Sequence, residues 1–202
     1  MKKDFIYLAS ASPRRGTLLE QIGVAFRVVP ADVSELRAPG ETSECYVVRL
    51  AEEKATKVWE QTRHDEPRPV LAADTTVELD GRLLGKPRDA ADALAMLADL
   101  SGRSHRVLTG VALRHEAGLL SALSATEVKF RETTDAERQA YCATGEPLDK
   151  AGAYGIQGCG AVFVEWIKGS FSAVVGLPLA ETVGLLMSVG QPGWLVADSQ
   201  PQ

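Results

Sequence analysis

Two arginines, Arg14 and Arg15, directly follow a Ser-Pro pair at the point where a short apolar run gives way to a helical pattern. Cations in the first turn of a helix oppose its dipole, which favours Asp and Glu at that position. The free amide groups of a helix N-terminus bind anions, and guanidinium groups bind phosphate oxygens in a bidentate fork. The pair therefore indicates a phosphate site, although two solvated arginines would also satisfy the spacing.

A lysine and an aspartate also occupy positions where charge is costly. Lys54 lies four residues from both Leu50 and Val58 on the apolar face of a predicted helix. Its ammonium either passes this face to reach solvent, the commoner arrangement, or enters a polar cleft. Asp74 follows "VLAA" in an apolar strand, where a carboxylate needs a metal, a lysine or a reacting water.

Two later segments carry further polar candidates. Lys86, in "GKP", would contact phosphate or lie in a surface turn. The preceding "GRLLGKP" is one residue short of a P-loop and has Pro87 where that motif needs a hydroxyl, so it is not one. The loop "EPLDKAGAYGIQGCG" combines Lys150 and Gln157 with glycines that allow close backbone approach, as loops that carry sites commonly do.

The elements that would position these residues follow from periodicity and turn chemistry. Strands are predicted at residues 5–9, 70–79, 82–84, 105–115, 119–131, 161–167 and 170–175. Asp80-Gly81 is a predicted hairpin turn, and hairpin connections favour a mixed, largely antiparallel sheet.

Helix boundaries are predicted from capping residues. Ser12 is the expected N-cap of a helix that has Pro13 at its first position and ends at Gly23. Further helices are predicted at residues 43–61, between Asp89 and Gly102, after the capping box Thr134–Glu137, and from Pro178 onward.

Length and composition limit the class of protein. With 202 residues, 45% of them hydrophobic, the chain can form one sizeable core or two small lobes that share a cleft, and one compact unit is the expected arrangement. The net charge of −5 disfavours non-specific binding to nucleic acid or to an anionic membrane. No apolar run reaches the roughly 18 residues of a membrane span, and the opening run is shorter than a signal-peptide core. The expected location is therefore cytoplasmic.

The cysteines suggest no special chemistry. Cys45, Cys142 and Cys159 are far apart and lack C-x-x-C spacing. We expect incidental thiols rather than a disulfide framework or a zinc site.

Several motifs together resemble those of the Maf family, the septum-formation-inhibitor-like nucleoside triphosphate pyrophosphatases. They are "SASPRR", "ADTTV" followed by "GKP", "SGRSHRVLTGVAL", "GEPLDKAGAYGIQG" and "VVGLPL", in order over residues 7–187. The resemblance implies one α/β domain over residues 1–202. Residues from about 191 are expected to form a frayed tail, as chain termini commonly do. It also implies an elongated mixed sheet with flanking helices, a central cleft between two lobes, and kinship with the inosine triphosphate pyrophosphatases.

The same resemblance implies metal-assisted hydrolysis of nucleoside triphosphates between the α and β phosphates, with Mg²⁺ or Mn²⁺ as cofactor. Asp74 would be the proton acceptor or a metal ligand, and Glu35 a metal ligand. Lys54 and Lys86 would also be catalytic. The triphosphate would be surrounded by Ser10, Arg14, Arg15, Lys54, Lys86 and Lys150.

Within the family, "DKAGAYGIQG" and Asp74-Thr75 resemble the branch that hydrolyses dTTP and UTP, with Arg14, Thr75 and Gln157 at its specificity positions. A 7-methyl-GTP pyrophosphatase and a non-catalytic regulator of septum formation are the alternatives. The implied partners are a nucleoside triphosphate and a second copy in a homodimer, without nucleic acid or membrane.

Overall fold

A computed structural model describes residues 5–191, which form two compact units. Unit 1 contains residues 5–74, 110–123 and 176–191, and unit 2 contains residues 75–109 and 124–175. The predicted frayed tail, apart from Gln191, lies outside the described residues. None of the described helices has the length and apolar character that crossing a membrane would require.

Within residues 5–191 the strands are β1 Ile6–Leu8, β2 Phe26–Val28, β3 Val70–Leu79, β4 Arg82–Leu84, β5 Ser104–His115, β6 Gly118–Phe130 and β7 Val164–Lys168. These seven strands pair in the order β2-β1-β3-β5-β6-β7, with β4 on β3. Strand β1 is parallel to β2 and β3, whereas β4 is antiparallel to β3 and β7 to β6. The α/β class and the mixed, largely antiparallel sheet are confirmed, while the cleft and the kinship with inosine triphosphate pyrophosphatases stay predictions.

In the described part of the chain, six helices accompany these strands, and two of their predicted caps are confirmed. The Asp89 side chain accepts a hydrogen bond from the backbone N of Asp92 at 2.8 Å. Thr134 and Glu137 form the predicted reciprocal capping box. The helices are α1 Pro13–Gln21, α2 Ser43–Thr62, α3 Ala90–Leu100, α4 Asp135–Ala143, α5 Phe171–Val175 and α6 Leu179–Ser188.

The predicted strand at residues 170–175 is wrong, because this segment forms α5. Its valines and phenylalanine favour a strand by propensity. Ser170 precedes the helix, and its Oγ accepts a hydrogen bond from the backbone N of Ala173 at 3.2 Å, as a capping hydroxyl does. The start of the preceding predicted strand is also wrong, because Cys159–Phe163 forms a 3₁₀ segment and β7 begins at Val164.

Each unit has its own hydrophobic core. In unit 1, the apolar face of α2 packs on β1 and β3 through side chains that include Tyr7, Ala55, Val58, Trp59 and Val70. The core of unit 2 includes Leu97, Leu100, Phe130, Tyr154 and Phe163. Because Lys54 belongs to the packed face of α2, the environment of its ammonium depends on the side chains that β1 and β3 direct towards this helix.

Helix α2 approaches β5 closely within unit 1. A Cβ atom at Gly110 would lie 2.4 Å from the carbonyl oxygen of Val47 and 2.8 Å from the backbone N of Val48. Only glycine allows the two backbones this separation.

Candidate active site

The turn between β1 and α1 fixes Arg15 on both sides of its guanidinium. Arg15 Nη1 donates to Ser10 Oγ at 2.9 Å, and Arg15 Nε donates to the carbonyl oxygen of Gly176 at 2.8 Å. Ser10 Oγ also accepts from the backbone N of Ser12 at 3.2 Å. Ser12 occupies the N-cap position as predicted, but its side chain makes no capping hydrogen bond. Arg15 is therefore a positioned, half-buried cation rather than a solvated one.

The electrostatic surroundings of Arg15 are mixed. Burial lowers its pKa, the carboxylates of Asp74 and Glu35 oppose this effect, and the neighbouring charge of Arg14 adds to it. A guanidinium stays protonated in proteins, since its ordinary pKa exceeds 12. Positive charge at the start of α1 thus lies within electrostatic reach of both carboxylates.

Lys54 joins two carboxylates in unit 1. Its Nζ lies 2.7 Å from Glu35 Oε1 and 2.6 Å from Asp74 Oδ1. Lys54 and Asp74 are both only 8% exposed. Of the two arrangements open from the sequence, the commoner one, with the ammonium in solvent, is wrong here. The reason lies on β3, where Asp74 supplies the buried counter-charge.

Asp74 is more basic than an ordinary aspartate. Burial raises its pKa, Lys54 and Arg15 oppose that increase through their positive charge, and Glu35 adds to it. A carboxylate with a raised pKa accepts a proton more readily near neutral pH. The arrangement is therefore suited to proton abstraction from a bound water.

The segment that carries Glu35 is clasped by α2. Arg49 forms a bidentate salt bridge with Glu41 at 2.6 and 2.8 Å, and its Nη2 donates to the carbonyl oxygen of Leu36 at 3.1 Å. Tyr46 donates from its hydroxyl to the carbonyl oxygen of Glu35 at 2.9 Å. Burial and the nearby carboxylates raise the pKa of Tyr46 to about 12, so it remains a neutral donor. These contacts hold the backbone of Glu35, whose side chain is 53% exposed, beside Lys54.

Glu35 and Asp74 are the residues best suited to hold a divalent cation. Within residues 5–191, no three His, Cys, Asp or Glu side chains are grouped so that they could hold a metal ion. Mg²⁺, however, is usually held by one or two carboxylates together with substrate phosphates and water. Two carboxylates converging on one ammonium fit that requirement, and their oxygen atoms suit Mg²⁺ or Mn²⁺.

Unit 2 carries Thr75, the residue after Asp74. Its Oγ1 lies 3.0 Å from Thr109 Oγ1, and Thr109 Oγ1 donates to the carbonyl oxygen of Ala173 at 2.8 Å. A hydroxyl has one proton, so Thr75 is the donor in the first of these bonds. This chain fixes the rotamer of Thr75.

The remaining predicted residues, Lys86, Lys150 and Gln157, also lie in unit 2. Lys150 Nζ donates to Asp149 Oδ1 at 2.6 Å. The backbone N of Gly152 donates to the carbonyl oxygen of Gly85 at 3.0 Å, so the segment that carries Lys86 contacts the glycine-rich loop. Lys86 and Gln157 are exposed.

Sequence reasoning missed two residues that organise this loop, Tyr141 and Glu146. The Tyr141 hydroxyl donates to Glu146 Oε1 at 2.9 Å, and Glu146 Oε2 accepts from the backbone N of Cys159 at 2.8 Å. The local signal is weak, because it consists of an acidic residue followed several positions later by closely spaced glycines.

The predicted site residues therefore fall into two sets. Unit 1 gathers Ser10, Arg14, Arg15, Glu35, Lys54 and Asp74 into one polar cluster. Unit 2 carries Thr75, Lys86, Lys150 and Gln157. Their roles in catalysis and binding stay predictions.

Comparison with known proteins identifies the family. Residues 5–189 match the family described as "Maf-like protein". The chain belongs to the Maf family. The resemblance found in the sequence motifs is thereby confirmed.

Named relatives within the Maf family cover nearly the whole chain. A protein of Escherichia coli O6:K15:H31 (strain 536) is 55% identical over 181 residues, which are 90% of this chain and 91% of that protein. A protein of Bordetella avium (strain 197N) is 52% identical over 191 residues, 92% of this chain and 95% of that protein. Both are named dTTP/UTP pyrophosphatase.

Among solved structures, the Staphylococcus aureus Ham1 protein matches at a TM-score of 0.46 and 15% identity, over 93% of this chain and 98% of that one. This likeness is too distant to bear on function.

Proposed function

We propose that this Maf protein hydrolyses dTTP and UTP between the α and β phosphates, giving the nucleoside monophosphate and pyrophosphate. The assignment of substrate is supported by relatives of 52–55% identity that carry the name dTTP/UTP pyrophosphatase. Removal of unwanted or modified pyrimidine nucleotides from the nucleotide pool would be the purpose of the reaction.

The observation that carries the proposal is the buried Asp74 carboxylate held at 2.6 Å by Lys54, with Arg15 in electrostatic reach. A structural ion pair would need only one cation. Here a second cation, whose guanidinium is fixed by hydrogen bonds to Ser10 and Gly176, lies within electrostatic reach of the same carboxylate. Perturbed carboxylates surrounded by positioned cations are typical of functional sites.

The cations offset the charge of the substrate. A nucleoside triphosphate carries about four negative charges, which need several cations and a metal ion before they can enter a desolvated site. The chain itself has a net charge of −5, so this charge must be offset locally. We assign phosphate binding to Ser10, Arg14, Arg15, Lys54, Lys86 and Lys150.

Asp74 takes the proton in the proposed reaction. Water attacks phosphorus, Asp74 accepts a proton from that water, and the bond between the α and β phosphates breaks as pyrophosphate leaves. The raised pKa of Asp74 favours this transfer. Lys54, which contacts Asp74 directly, orients the carboxylate and stabilises its charged form before the transfer.

Glu35 and Asp74 are the proposed ligands of the divalent cation. When bound, Mg²⁺ or Mn²⁺ would offset phosphate charge and polarise the bond that breaks. The clasp between Arg49 and Glu41 keeps the Glu35 segment in position for this role.

Substrate choice is assigned to Arg14, Thr75 and Gln157. The amide of Gln157 offers both a donor and an acceptor, which match the edge of thymine or uracil. Thr75 supports the assignment because its hydroxyl is oriented by Thr109.

Pyrophosphate release tests the proposal most directly. We would measure turnover of dTTP, UTP, CTP, dATP, GTP and 7-methyl-GTP by the wild type and by Asp74→Asn, with Mg²⁺ or Mn²⁺. The wild type should prefer dTTP and UTP, and Asp74→Asn should lower kcat by about a hundredfold or more, as expected for loss of a general base. Asp65→Asn, which changes an exposed carboxylate, is the matched control and should retain full activity.

Other outcomes would contradict the proposal in distinguishable ways. A preference for 7-methyl-GTP would assign the chain to that branch of the family. Binding of nucleotides without turnover would favour a non-catalytic regulator. Equal activity of Asp74→Asn and the wild type would remove Asp74 from the chemistry.

We also propose that the protein is cytoplasmic, since its proposed substrate is a free nucleoside triphosphate. The homodimer and the absence of a nucleic-acid partner stay predictions.

A further inference from the structure

In unit 2, the turn that carries Gln157 wraps around a half-buried carboxylate, that of Glu146. Oε2 of Glu146 accepts from the backbone N of Cys159 at 2.8 Å, and Oε1 accepts from the backbone N of Gly160 at 3.2 Å. Both donors lie just after Gln157 in the chain. The carboxylate therefore fixes the outgoing side of the turn.

Tyr141 fixes the incoming side of the same turn. Its hydroxyl accepts from the backbone N of Gly155 at 3.1 Å and donates to Glu146 Oε1 at 2.9 Å. The turn itself is closed by a hydrogen bond from the backbone N of Gly158 to the carbonyl oxygen of Gly155 at 3.2 Å. Gln157 thus lies in a short segment tied at both ends to one pair of side chains.

The glycines of this loop make room for that pair. A Cβ at Gly158 would lie 2.4 Å from both oxygens of Glu146. A Cβ at Gly160 would lie 2.8 Å from the Tyr141 hydroxyl, and one at Gly155 would lie 2.9 Å from Glu146 Oε1. The backbone therefore approaches the carboxylate more closely than any other residue type would permit.

The charge of Glu146 suits this arrangement. Burial alone would raise its pKa, but hydrogen bonds from Cys159, Tyr141 and Gly160 hold the pKa below its ordinary value. An ionised carboxylate offers only acceptors, and three donors converge on it. A neutral amide of the same shape would direct its NH₂ group at one of those donors.

We propose that Glu146, acting with Tyr141, is a positioning residue that sets the place of Gln157 and thereby the preference for pyrimidine nucleotides. The inference rests on the proposed function, in which Gln157 reads the base. Glu146 reaches Gln157 only through the backbone of its turn, so it is not a catalytic residue.

The first test is substrate selectivity in Glu146→Gln and Tyr141→Phe. Phenylalanine keeps the ring contact of Tyr141 with Phe163, whose centroids are 5.2 Å apart, so the core should be retained. In both variants KM for dTTP and UTP should rise about tenfold while kcat changes less than about threefold, because loss of uniform binding raises KM alone. The ratio of kcat/KM for dTTP to that for GTP should fall about tenfold.

The second test follows the turn itself by amide hydrogen exchange without nucleotide. Exchange at Cys159 or at Gly160 should accelerate about tenfold or more in Glu146→Gln, because the amide side chain can accept from only one of these two backbone N–H groups and the other loses its acceptor. Glu165→Gln changes an exposed carboxylate on β7 in the same unit and should alter neither exchange nor selectivity. The double variant of Glu146 and Tyr141 should be no less selective for dTTP over GTP than the more impaired of the two single variants, since both residues act through one network.

Failure of this inference can be told apart from failure of the proposed function. If the wild type shows no turnover, the proposed function is contradicted. Amide hydrogen exchange would then be the measurement that tests whether Glu146 holds the turn. Unchanged exchange would overturn the inference whatever the activity. Accelerated exchange with unchanged selectivity would also overturn it, because the turn would then not set the preference.

Discussion

Lys54 contacts Glu35 at 2.7 Å and Asp74 at 2.6 Å, so one ammonium offsets two carboxylates. The pair with Asp74 is buried, whereas half of the Glu35 side chain is exposed to water. Removing one partner of a buried ion pair leaves a charge that neither solvent nor protein compensates. The cost should therefore depend on whether Asp74 can neutralise itself by taking up a proton.

For Lys54→Met we expect a free energy of unfolding about 3 kcal/mol lower than that of the wild type at pH 7. Loss of the lysine raises the pKa of Asp74 further, because Lys54 is the main group that opposes the effect of burial. A carboxyl whose folded pKa lies above its unfolded value contributes stability at low pH and loses it as pH rises through the folded pKa. The difference in free energy of unfolding between the variant and the wild type should therefore be smaller at pH 4 than at pH 7. Urea unfolding of both proteins between pH 4 and pH 8 measures this difference.

Lys57→Met provides the control for this prediction. Lys57 lies three residues further along α2, is exposed, and donates to the carbonyl oxygen of Asp32. Its replacement should cost less than about 1 kcal/mol and show no such pH dependence. A Lys54→Met deficit of equal size at pH 4 and pH 8 would mean that only packing has been lost.

Among the elements, α2 and β5 meet more closely than any residue with a side chain would allow, because Gly110 faces the backbone of Val47. In Gly110→Ala, the added Cβ would lie 2.4 Å from the carbonyl oxygen of Val47, so the helix must move. We expect a loss of about 2 kcal/mol in the free energy of unfolding, as overpacking of a core produces. Denaturant unfolding with a comparison of m-values measures this loss.

Gly118→Ala is the matched substitution, because a Cβ at Gly118 meets nothing within 4 Å. Gly118 begins β6 in the same unit. Its replacement should change stability by less than about 0.5 kcal/mol. Equal losses in the two variants would mean that the close approach does not determine the result, because the reduced freedom of the unfolded chain would by itself raise the stability of both.

Elements with strong periodicity or strong caps could be predicted from the sequence. Helix α2 follows an apolar pattern of helical period, strand β3 begins with a continuous buried run, and Thr134 and Glu137 form the predicted capping box. Helix α5 was missed because its short sequence has the propensity of a strand. The hydrogen bond that caps it, accepted by Ser170 Oγ from the backbone N of Ala173, leaves only a weak pattern in the sequence.

The candidate site was predictable only as residue types, not as contacts. The positions of Lys54 and Asp74 were unusual for charged residues, and this was enough to select them. That they meet, with Glu35, depends on residues 19 and 20 positions apart in the chain. Glu146 was missed for the same reason, since its donors at Cys159 and Gly160 reach it only after the loop has folded.

At the scale of the whole molecule, acid should affect stability through a buried histidine of unit 2 that has no role in the proposed chemistry. His105 is 3% exposed, and its Nε2 lies 2.8 Å from the Tyr154 hydroxyl. Its Nδ1 has no hydrogen-bond partner among the described residues. Phe130 and Tyr154 surround the ring edge to face. Burial lowers the pKa of His105 to about 4 from an ordinary value of 6.5.

The whole chain should therefore lose stability as the pH falls from 6.5 towards 4. In that range the unfolded chain binds a proton at His105 and the folded chain does not, so unfolding becomes easier. By pH 4.5 the loss from this residue should be about 2.5 kcal/mol. His105→Gln, unable to take up that proton, should be less stable at pH 7.5 but should close most of its gap to the wild type by pH 4.5. His64→Gln, at an exposed histidine, should follow the wild-type pH profile, and a His105→Gln profile parallel to it would contradict the assignment.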